Sequence, residues 1–397
     1  MPNAAGQPST SVPATADRSS LNWPTILFIA ATSLATILWP VYAWFFGVTW
    51  AEVALALGWY LASAMAITVG YHRLVAHRAF ECRPWFKLAL LVAGSAAWQG
   101  SALSWTSDHL RHHAWTDQDR DPYNIRRGFW YAHVGWLFTK QGMTGELPTH
   151  LAEDRMLAWQ DRWYIPLAIT TGFVLPWAIC GAGGLLLAGV VRLVAVHHGT
   201  WFVNSWAHLG RRRPWNPAVS AADSWLVALV TFGEGWHNYH HAFPGDYRAG
   251  VERTQFDPSK WLIWSLSKLG VAWNLQRVGF STRWRRSVHS LLNWEGETSE
   301  KLARVRELQL RLHRQMVRSR SRALKTLGRV SELPLPANLS AAAITLALET
   351  RGRDLRDKLG RPARRRMDRL ARLSGRLATL ESLSDMLADW QPLPAAA

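Results

Sequence analysis

The sequence predicts an all-α integral membrane protein with four transmembrane helices and a cytoplasmic helical cap that holds a metal site. Three observations support this fold class. Of the 397 residues, 49% are hydrophobic and only 18% are charged, which indicates that lipid solvates much of the chain. Trp occurs 25 times, and Trp is enriched where helices meet the lipid headgroups. Histidines cluster beside the ends of apolar stretches, which indicates metal binding near one membrane face.

Four apolar stretches have about the 20 residues that a helix needs to cross a bilayer. They are residues 23–46, 50–70, 164–181 and 184–207. The first two are joined by the short turn at residues 46–49, and the last two by a turn containing Gly181, Gly183 and Gly184. The sequence therefore predicts two helical hairpins.

A fifth apolar stretch, residues 86–105, contains Ser, Gly and Gln and is predicted not to cross. His72 ends the second span, so a crossing here would put His109 on the opposite side, a bilayer thickness of about 30 Å away. We interpret this stretch as a re-entrant or interfacial segment. The histidines then share one face, in a cap of residues 72–160 and 208–281. Arginines on that face make it cytoplasmic by the positive-inside rule.

The two ends of the chain differ from this region, which we take as one domain over residues 23–281. Residues 1–22 are small and polar and are predicted to be disordered. Residues 282–397 hold 24 Lys+Arg and 12 Asp+Glu, a net charge of +12 out of +17. Apolar residues recur at helical spacing in 301–328 and 341–387, which predicts a basic tail of two amphipathic helices. Such a tail suits an anionic lipid surface or a partner, with a solvated helical hairpin as the alternative.

Nine histidines stand at spacings that suit metal ligands, and imidazole binds iron, zinc and copper. They are His72 with His77, His109 with His112 and His113, His208, and His237 with His240 and His241. The i, i+3, i+4 spacing of each triplet stacks the rings on one helix face, so each triplet can direct several nitrogens toward one point. Nine neutral nitrogens exceed the coordination number of one metal, which predicts two metals. Asn204, four residues before His208, can hold a metal-bound water.

The remaining histidine spacings are less favourable. His72 and His77 are five residues apart, which is about 140° around an α-helix, so they need a helix end or a break to converge. Six histidines lack the triplet spacing and are predicted to be hydrogen-bonded or solvated. These are His133, His150, His197, His198, His289 and His313.

Other motifs limit the kinds of site that the chain can form. Cys82 and Cys180 form no CxxC or CxxCH pairing, which excludes a disulfide framework, a protein-held iron–sulfur cluster and a c-type haem. The pair of Glu-x-x-His motifs that the soluble di-iron carboxylate proteins place on two helices does not accompany the histidines. The donor type leaves iron, zinc and copper open.

Two sets of charged residues are expected to support the site. Arg192 lies inside the fourth span, where a charge costs at least about 2.5 to 3.5 kcal/mol, so it should face a polar interior. Both a structural role and substrate contact fit that position. Asp117, Asp119 and Asp121 follow the second histidine cluster, and we expect them to pair with nearby arginines or with ligand imidazoles.

Between about residues 23 and 280 the sequence resembles the membrane fatty acyl-CoA desaturases of the stearoyl-CoA (delta-9) type, especially their bacterial members. Five ordered motifs carry the resemblance. They are His72-Arg-Leu-Val-Ala-His77, Asp108-His-Leu-Arg-His-His113, Asp121-Pro-Tyr-Asn124, Asn204-Ser-Trp-Ala-His208 and Gly233-Glu-Gly-Trp-His-Asn-Tyr-His-His-Ala-Phe-Pro-Gly-Asp-Tyr-Arg248.

The resemblance implies a function for this region. It implies a four-span fold with a cytoplasmic di-iron centre and the oxygen-dependent insertion of a cis double bond into a saturated acyl chain. The nine histidines would hold two Fe²⁺ ions, with Asn204 acting through water. The implied partners are a long-chain acyl-CoA or related acyl thioester, O₂, and an external electron donor such as a ferredoxin, rubredoxin or cytochrome b5-like protein. The implied location is a bacterial inner membrane, with the site facing the cytoplasm and no role for nucleic acid.

The resemblance also implies residues that contact the substrate. Gln99, Trp105 and Thr200 would lie beside the acyl chain, Tyr60 and Ala64 would close the far end of its tunnel, Lys140 would lie near the CoA phosphates, and Asp108 would lie near the tunnel mouth. Two residues depart from the family pattern. Ser107 stands where animal relatives carry an Arg near CoA, and Tyr123 replaces a His of the third motif.

Other functions compete with a desaturase. A fatty acid or alkane hydroxylase would use a similar histidine-rich di-iron centre. A membrane metal transporter or storage protein would need ligands near the bilayer midplane, whereas these histidines lie at span ends. A membrane-associated scaffold would depend on the basic tail.

Overall fold

The computed structural model describes residues 20–139, 148–294, 298–327 and 361–388. The chain divides into two compact units, Met1–Arg213 with Val219–Arg277, and Pro214–Ala218 with Val278–Ala397. The predicted disorder of residues 1–22 falls, except for Ser20 to Asn22, outside the described residues. Lys140 also lies outside them.

The first hairpin forms where the sequence predicts it. Its helices are α1 (Trp23–Ala35), α2 (Leu38–Phe46) and α3 (Trp50–Met65). Gly47, with a φ of +76°, ends α2, a conformation that glycine adopts without steric cost. Thr49 and Glu52 then form a reciprocal capping box that begins α3, so two backbone N–H groups find side-chain acceptors.

A π-helix, Ala66–Ala76, continues α3 toward the site, and α4 (Pro84–Ser95) and α5 (Ala102–Trp115) follow. Residues 86–105 are therefore not one helix. The 12 residues of α4 are too few for the roughly 20 that a crossing needs. A short antiparallel pair, β1 (Glu81–Cys82) with β2 (Ala272–Trp273), joins this region to the end of the first unit.

The second apolar region is one helical segment of 45 residues, Tyr164–His208, with an internal turn. It contains α9 (Tyr164–Ile169), the π-helix Thr170–Val174, α10 (Leu175–Gly184), the π-helix Leu185–Val191, α11 (Arg192–Asn204) and the 3₁₀ turn Trp206–His208. Helical geometry breaks at Cys180 and at Gly181, whose φ is +57°. A Cβ built on Gly189 would lie 3.4 Å from Gly172 O, so the two halves of the segment pack against each other.

Among the described residues, three helical segments are long and apolar enough to cross a membrane: Trp23–Phe46, Trp50–Ala76 and Tyr164–His208. The sequence predicted four spans because it divided the third segment into two, residues 164–181 and 184–207. Its length is about twice the 20 residues of one crossing, and its break lies at the predicted turn. Four crossings stay a prediction, while the three apolar segments indicate an integral membrane protein.

Short elements complete the first unit. They are the 3₁₀ turns Ile125–Arg127 and Gly135–Phe138 and the helices α6 (Phe129–His133), α7 (Thr149–Ala152), α8 (Arg155–Arg162), α12 (Trp225–Val230), α13 (His237–Ala242) and α14 (Pro258–Lys268). One apolar cluster, which includes Ile67, Tyr71, Leu91 and Val196, joins the π-helix to α4, α5 and α11. The π-helix that carries His72 therefore packs against an apolar layer.

Arg192 is buried within the apolar segment and binds backbone carbonyls. It donates to Ala188 O at 2.8 Å, to Ala96 O at 2.7 Å and to Gly172 O at 3.2 Å. The predicted polar interior thus consists of carbonyl oxygens near helix ends. Of the two roles that the sequence left open, the contacts favour the structural one, because Arg192 fixes the turn after α4 to both halves of the 45-residue segment.

Replacing Arg192 with Met should destabilise the protein, because three buried carbonyls lose their donor. Each orphaned carbonyl costs about 1–3 kcal/mol. We expect a lower melting temperature and a lower yield of monodisperse protein in detergent. The control is Arg83→Met, since Arg83 is an exposed arginine with one long backbone contact, to Gly270 O at 3.3 Å. Equal melting temperatures for the two variants would contradict this role.

The second unit is a separate helical domain with α15 (Phe280–Leu292), α16 (Thr298–Leu327) and α17 (Arg361–Ala388). Helices α16 and α17 run antiparallel, because Gln309 contacts Leu387 O at 3.3 Å and Arg320 pairs with Glu381 at 3.2 Å. Their apolar faces meet α15 in a core that includes Trp284, Val288, Leu308, Leu312 and Leu380. Residues 341–360 of the second predicted amphipathic helix lie outside the described residues.

Candidate metal centre

The π-helix brings the first two histidines together. His72 lies in its last turn, and His77 N donates to His72 O at 3.1 Å. A π-helix bonds residues five apart, so His72 and His77 stand one turn apart on the same side. Their ring centroids are 4.8 Å apart. The sequence predicted that a helix end or break would be needed, and the wider helix supplies it.

The spacing led us to expect that each histidine triplet directs its nitrogens toward one point. The structure divides each triplet between two groups of histidines. Helix α5 directs His109 and His113 to one group of histidines and His112 to another. Helix α13 divides its triplet in the same manner, with His237 and His241 together and His240 apart. The physical reason is that the i+3 residue is rotated by about 60° from residue i and by about 100° from residue i+4. Each triplet therefore bridges two sites.

The nine predicted ligands form two groups. The five-histidine group contains His72, His77, His109, His113 and His240, and the four-histidine group contains His112, His208, His237 and His241. Within each group the ligand nitrogens lie within 4.8 Å of one another.

The nitrogens that converge are all Nε2. In the five-histidine group, the Nε2–Nε2 distances are 2.9 Å for His72–His240, 2.8 Å for His77–His109 and 2.9 Å for His240–His113. In the four-histidine group they are 3.1 Å for His112–His241, 3.0 Å for His237–His208 and 3.1 Å for His241–His237.

Partners on the other ring nitrogen show which tautomer the rings adopt. His72 Nδ1 lies 2.9 Å from Glu234 Oε2, and His112 Nδ1 lies 2.8 Å from Asp121 Oδ1. Acceptors at Nδ1 hold the ring proton there, which leaves the lone pair on Nε2. His208 Nδ1 lies 2.6 Å from the Ser220 hydroxyl, which in turn contacts the Asp117 carboxylate.

The two groups fit resident metal ions. Lone pairs that face one another repel unless a cation lies between them. For metal–nitrogen distances of about 2.1 Å, adjacent ligands of an octahedral shell are separated by about 3.0 Å, which matches the observed 2.8 to 3.1 Å. Either group can therefore hold a metal ion through neutral nitrogens.

Burial keeps most of the nine rings neutral. Desolvation, followed by the charges of neighbouring imidazoles, lowers the pKa of each of several histidines well below the usual 6.5. These are His77, His109, His113, His240 and His241. The same causes lower the pKa of His237 to about 3. Neutral imidazole is the form that binds metal.

Sequence reasoning missed Glu234, which supports the five-histidine group. Glu234 is buried; its Oε1 accepts from Arg73 at 2.9 Å and also contacts the Thr68 hydroxyl. Arg73 also pairs with the buried Asp257 at 3.1 Å, so one guanidinium serves two buried carboxylates. Burial raises the pKa of Glu234, but the charge of Arg73 and the hydrogen bonds from His72 and Thr68 outweigh burial and lower the pKa below its ordinary value. The signal available in the sequence was the position of Glu234 three residues before the triplet that begins at His237.

Of the predicted acidic partners, Asp121 contacts a histidine directly and Asp117 acts through Ser220. Asp121 is buried, and its carboxylate also accepts from the backbone N–H of Asp117 at 3.0 Å. The same carboxylate accepts from Tyr123 N at 3.2 Å. The aspartates thus fix the loop after α5 to the four-histidine group. Ser220 carried no recognisable signal in the sequence.

A cavity of about 620 Å³ adjoins both groups, within the 300–1,000 Å³ typical of ligand sites. Its wall includes His72 and His109 of one group and His112 and His237 of the other. Away from the histidines the lining is largely apolar and aromatic, from Phe28 among others. The cavity can therefore hold an apolar ligand against both candidate metal positions.

Six of the seven predicted substrate residues line this cavity, and Lys140 lies outside the described residues. The six are Tyr60, Ala64, Gln99, Trp105, Asp108 and Thr200. Asn204, the predicted water-mediated ligand, lines it as well.

Polar contacts fix three of these side chains. Gln99 donates to Thr200 Oγ1 at 2.8 Å and accepts from Trp105 Nε1 at 3.3 Å. These three residues come from the turn after α4, from α5 and from α11, so the bonds set the shape of the cavity beside the histidines. The Tyr60 hydroxyl donates to Val230 O at 2.8 Å. That bond holds the Tyr60 ring at the cavity wall.

Asp108 occupies the same wall near an arginine. Burial raises the pKa of the Asp108 carboxyl to about 6, while Arg111, 2.9 Å away, opposes the shift. Ser107, the departure from the family pattern, is partly exposed beside it.

The histidines outside the clusters behave as the sequence predicts. His133 contacts Ser205 at 2.9 Å and His198 at 3.0 Å, and His197 contacts Ala97 O at 2.9 Å. The remaining three, His150, His289 and His313, are exposed. Their prediction as hydrogen-bonded or solvated residues is confirmed.

Comparison with known proteins adds to the geometry. The family model for fatty acid desaturases matches residues 49–255. A "Probable acyl-CoA desaturase" of Schizosaccharomyces pombe is 43% identical over 229 residues, which cover 55% of this chain and 48% of the relative. The "sn-1 stearoyl-lipid 9-desaturase" of Anabaena variabilis is 33% identical over 268 residues, 66% of this chain and 97% of the relative.

A human relative, "Stearoyl-CoA desaturase", is 34% identical over 251 residues, which cover 60% of this chain and 67% of the relative. Coverage differs among the relatives. The chain spans about half the length of two fungal relatives: 48% of the Schizosaccharomyces pombe protein and 52% of "Acyl-CoA desaturase 1" of Saccharomyces cerevisiae.

Proposed function

Because this chain belongs to the fatty acid desaturase family, we propose that it is an oxygen-dependent desaturase of a saturated long-chain fatty acyl thioester. The substrate is an acyl-CoA, and the double bond is placed at the delta-9 position. The observation that carries this proposal is the convergence of nine Nε2 atoms into two groups, each of which contributes two histidines to the wall of one apolar cavity.

The nine histidines would hold two iron ions, five nitrogens around one and four around the other, with Asn204 reaching one of them through water. Iron is the metal we favour because the reaction needs redox chemistry. When bound, it supplies the activation of O₂ and the removal of two hydrogens from adjacent methylenes. The residues of the chain hold the metals through neutral donors and exclude water.

The cavity residues position the acyl chain. A saturated chain offers no polar handle near its middle, so orientation depends on shape. Gln99, Thr200 and Trp105 form a rigid bonded set beside the histidines and would define where the chain bends. Tyr60 would close the far end, with Ala64 one turn away on α3. Asp108, and Lys140 by its family position, would lie toward the polar end of the substrate.

Replacing Tyr60 with Ala should lengthen the acyl chains that the protein accepts, because the ring and its bond to Val230 O would no longer close the cavity. One methylene in an apolar pocket changes selectivity by about 10- to 200-fold, so the preferred chain should shift by at least one carbon pair. Product profiles from cells fed defined fatty acids measure this. Ala64→Leu is the matched variant and should favour shorter chains; unchanged profiles for both would contradict this role.

A lipid-linked acyl chain is the second candidate substrate. The chain covers 97% and 89% of two cyanobacterial relatives named as lipid 9-desaturases, against about half of the fungal acyl-CoA desaturases. Ser107 in place of an arginine near CoA points the same way. Assays of purified protein with stearoyl-CoA and with stearoyl-phospholipid, side by side, distinguish the two.

The proposed setting is a bacterial inner membrane that the chain crosses four times, with the histidines on the cytoplasmic side. Two electrons per turnover must come from a separate carrier, a ferredoxin, a rubredoxin or a cytochrome b5-like protein. A basic cytoplasmic cap would attract an acidic carrier by electrostatic steering, and the residues before the tail hold a net charge of +5.

Product analysis tests the proposal. The chain is expressed in a host that makes no unsaturated fatty acids, and its lipids are analysed by gas chromatography and mass spectrometry. An olefin at the ninth carbon supports the proposal. A hydroxylated chain without olefin would instead show a fatty acid or alkane hydroxylase, and metal uptake into vesicles without any lipid product would show a transporter or storage protein.

A further inference from the structure

The helical hairpin of the second unit separates its charge by end. Residues 314–325 of α16 hold five basic residues and no acidic one, and residues 365–376 of α17 hold five arginines and one aspartate. Their sum is +9. Residues 298–313 and 377–388, the rest of the described part of each helix, hold four basic and four acidic residues and sum to zero. We refer to these as the basic end and the balanced end.

The antiparallel pairing brings the adjoining parts of the two basic stretches together, while Arg320 pairs with Glu381 of the balanced end. Arg376 lies near Arg322 and Arg372, and both charges add to burial in lowering the pKa of Arg376. Like charges from both helices are thus held close together by the leucine core between them. Such crowding opposes folding, and a counter-anion would relieve it.

Most of the basic side chains point outward in two stripes. Arg314, Arg318, Arg322 and Lys325 are exposed on α16, and Arg365, Arg369 and Arg372 are exposed on α17. Their spacings of three and four residues place each set on one helix face. Twelve helical residues extend about 18 Å, so the stripes form an extended basic array.

We propose that the basic end binds the phosphate headgroups of an anionic bilayer. Arginine suits phosphate because its planar guanidinium donates two parallel hydrogen bonds, and nine of the ten basic residues in the two stretches are arginine. Exposed basic helices are attracted to membranes that contain anionic lipid. Val317, 52% exposed between Arg314 and Arg318, adds an apolar contact of the kind that interfacial helices insert.

Connectivity favours a bilayer over an acidic protein as the partner. The second unit continues directly from Arg277 of the membrane-embedded unit, so lipid headgroups are always available at a high effective concentration. A soluble acidic protein has to be recruited for each contact. An array on two adjacent helices also suits a continuous layer of phosphates better than one compact acidic patch.

The test uses the full-length chain in lipid nanodiscs. A fluorophore is attached at Ser321→Cys, an exposed position of the basic end, in a background of Cys82→Ser and Cys180→Ala. The discs contain phosphatidylcholine alone, or with about one third phosphatidylglycerol, and a headgroup quencher in both. We expect at least about fivefold more quenching in the anionic discs, reversed by high salt because screening weakens exposed charges.

Matched variants separate this surface from net charge. Arg318→Glu with Arg372→Glu should abolish the extra quenching, whereas Arg304→Glu with Arg306→Glu, the same charge change at the balanced end, should retain it. Melting curves of both variants show that the hairpin still folds. Equal quenching in the two kinds of disc would overturn the proposal. So would release by inorganic phosphate beyond chloride of equal ionic strength, which would show a free-phosphate site, or quenching that appears only when an acidic protein is added.

Discussion

Replacing His240 with alanine is expected to remove metal from the five-histidine group and to abolish product formation. His240 is buried, and its Nε2 lies 2.9 Å from the Nε2 atoms of both His72 and His113, so it contributes to the centre of the group. Loss of an outer-sphere partner already costs about 10- to 100-fold in metal affinity or activity. Loss of a ligand should therefore lower the activity by at least about 100-fold.

The measurement is metal content by elemental analysis together with olefin yield. His208→Ala tests the four-histidine group in the same manner, and each variant should retain about one metal ion of the two. The control is His313→Ala, an exposed histidine of the second unit. Full metal content and full activity in both ligand variants would refute the assignment of these histidines.

Replacing Glu234 with alanine is expected to weaken metal binding without removing any ligand. The variant leaves His72 Nδ1 without its acceptor and leaves Arg73 with Asp257 as its remaining carboxylate partner. Outer-sphere substitutions typically cost about 10- to 100-fold in metal affinity, and removal of one partner of a buried ion pair costs about 3–5 kcal/mol. Both metal affinity and melting temperature should fall.

Chelator titration of the metal-loaded protein measures the affinity, and thermal denaturation measures the stability. Glu234→Gln separates the two effects, because the amide can still accept from His72 while it lacks the charge that pairs with Arg73. Its affinity should lie between those of the natural protein and Glu234→Ala. Glu252→Ala, at an exposed glutamate of the same unit, is the control. If Glu234→Ala retained its metal as tightly as this control, the supporting role would be wrong.

Membership of the desaturase family followed from the motifs alone, and the comparisons confirm it. The apolar stretches and the turn at Gly47 could also be predicted, because hydrophobic length and glycine content act within a few residues of the chain. The six cavity residues were placed by resemblance. Periodicity alone could not have found Gln99, which is one polar residue in an irregular turn.

The division of ligands between two groups could not be predicted from spacing. Spacing gives the angle between His109, His112 and His113 on one helix, but not the position of the helix that supplies His237 and His240. The π-helix at His72 was equally hidden, because its hydrogen-bond shift depends on packing against α4 and α5. Glu234 was overlooked because its partner Arg73 lies 161 positions away in the chain.

The sequence by itself determined three features of this protein: apolar segments of spanning length, nine imidazoles at ligand spacing, and a basic tail. These follow from interactions between residues close in the chain, such as helix periodicity and hydrophobic transfer. Only the tertiary structure decided which nitrogens share a metal position, which carboxylates orient them, and that one cavity touches both groups. Those features depend on contacts between distant segments, and their geometry is fixed by close packing of the whole unit.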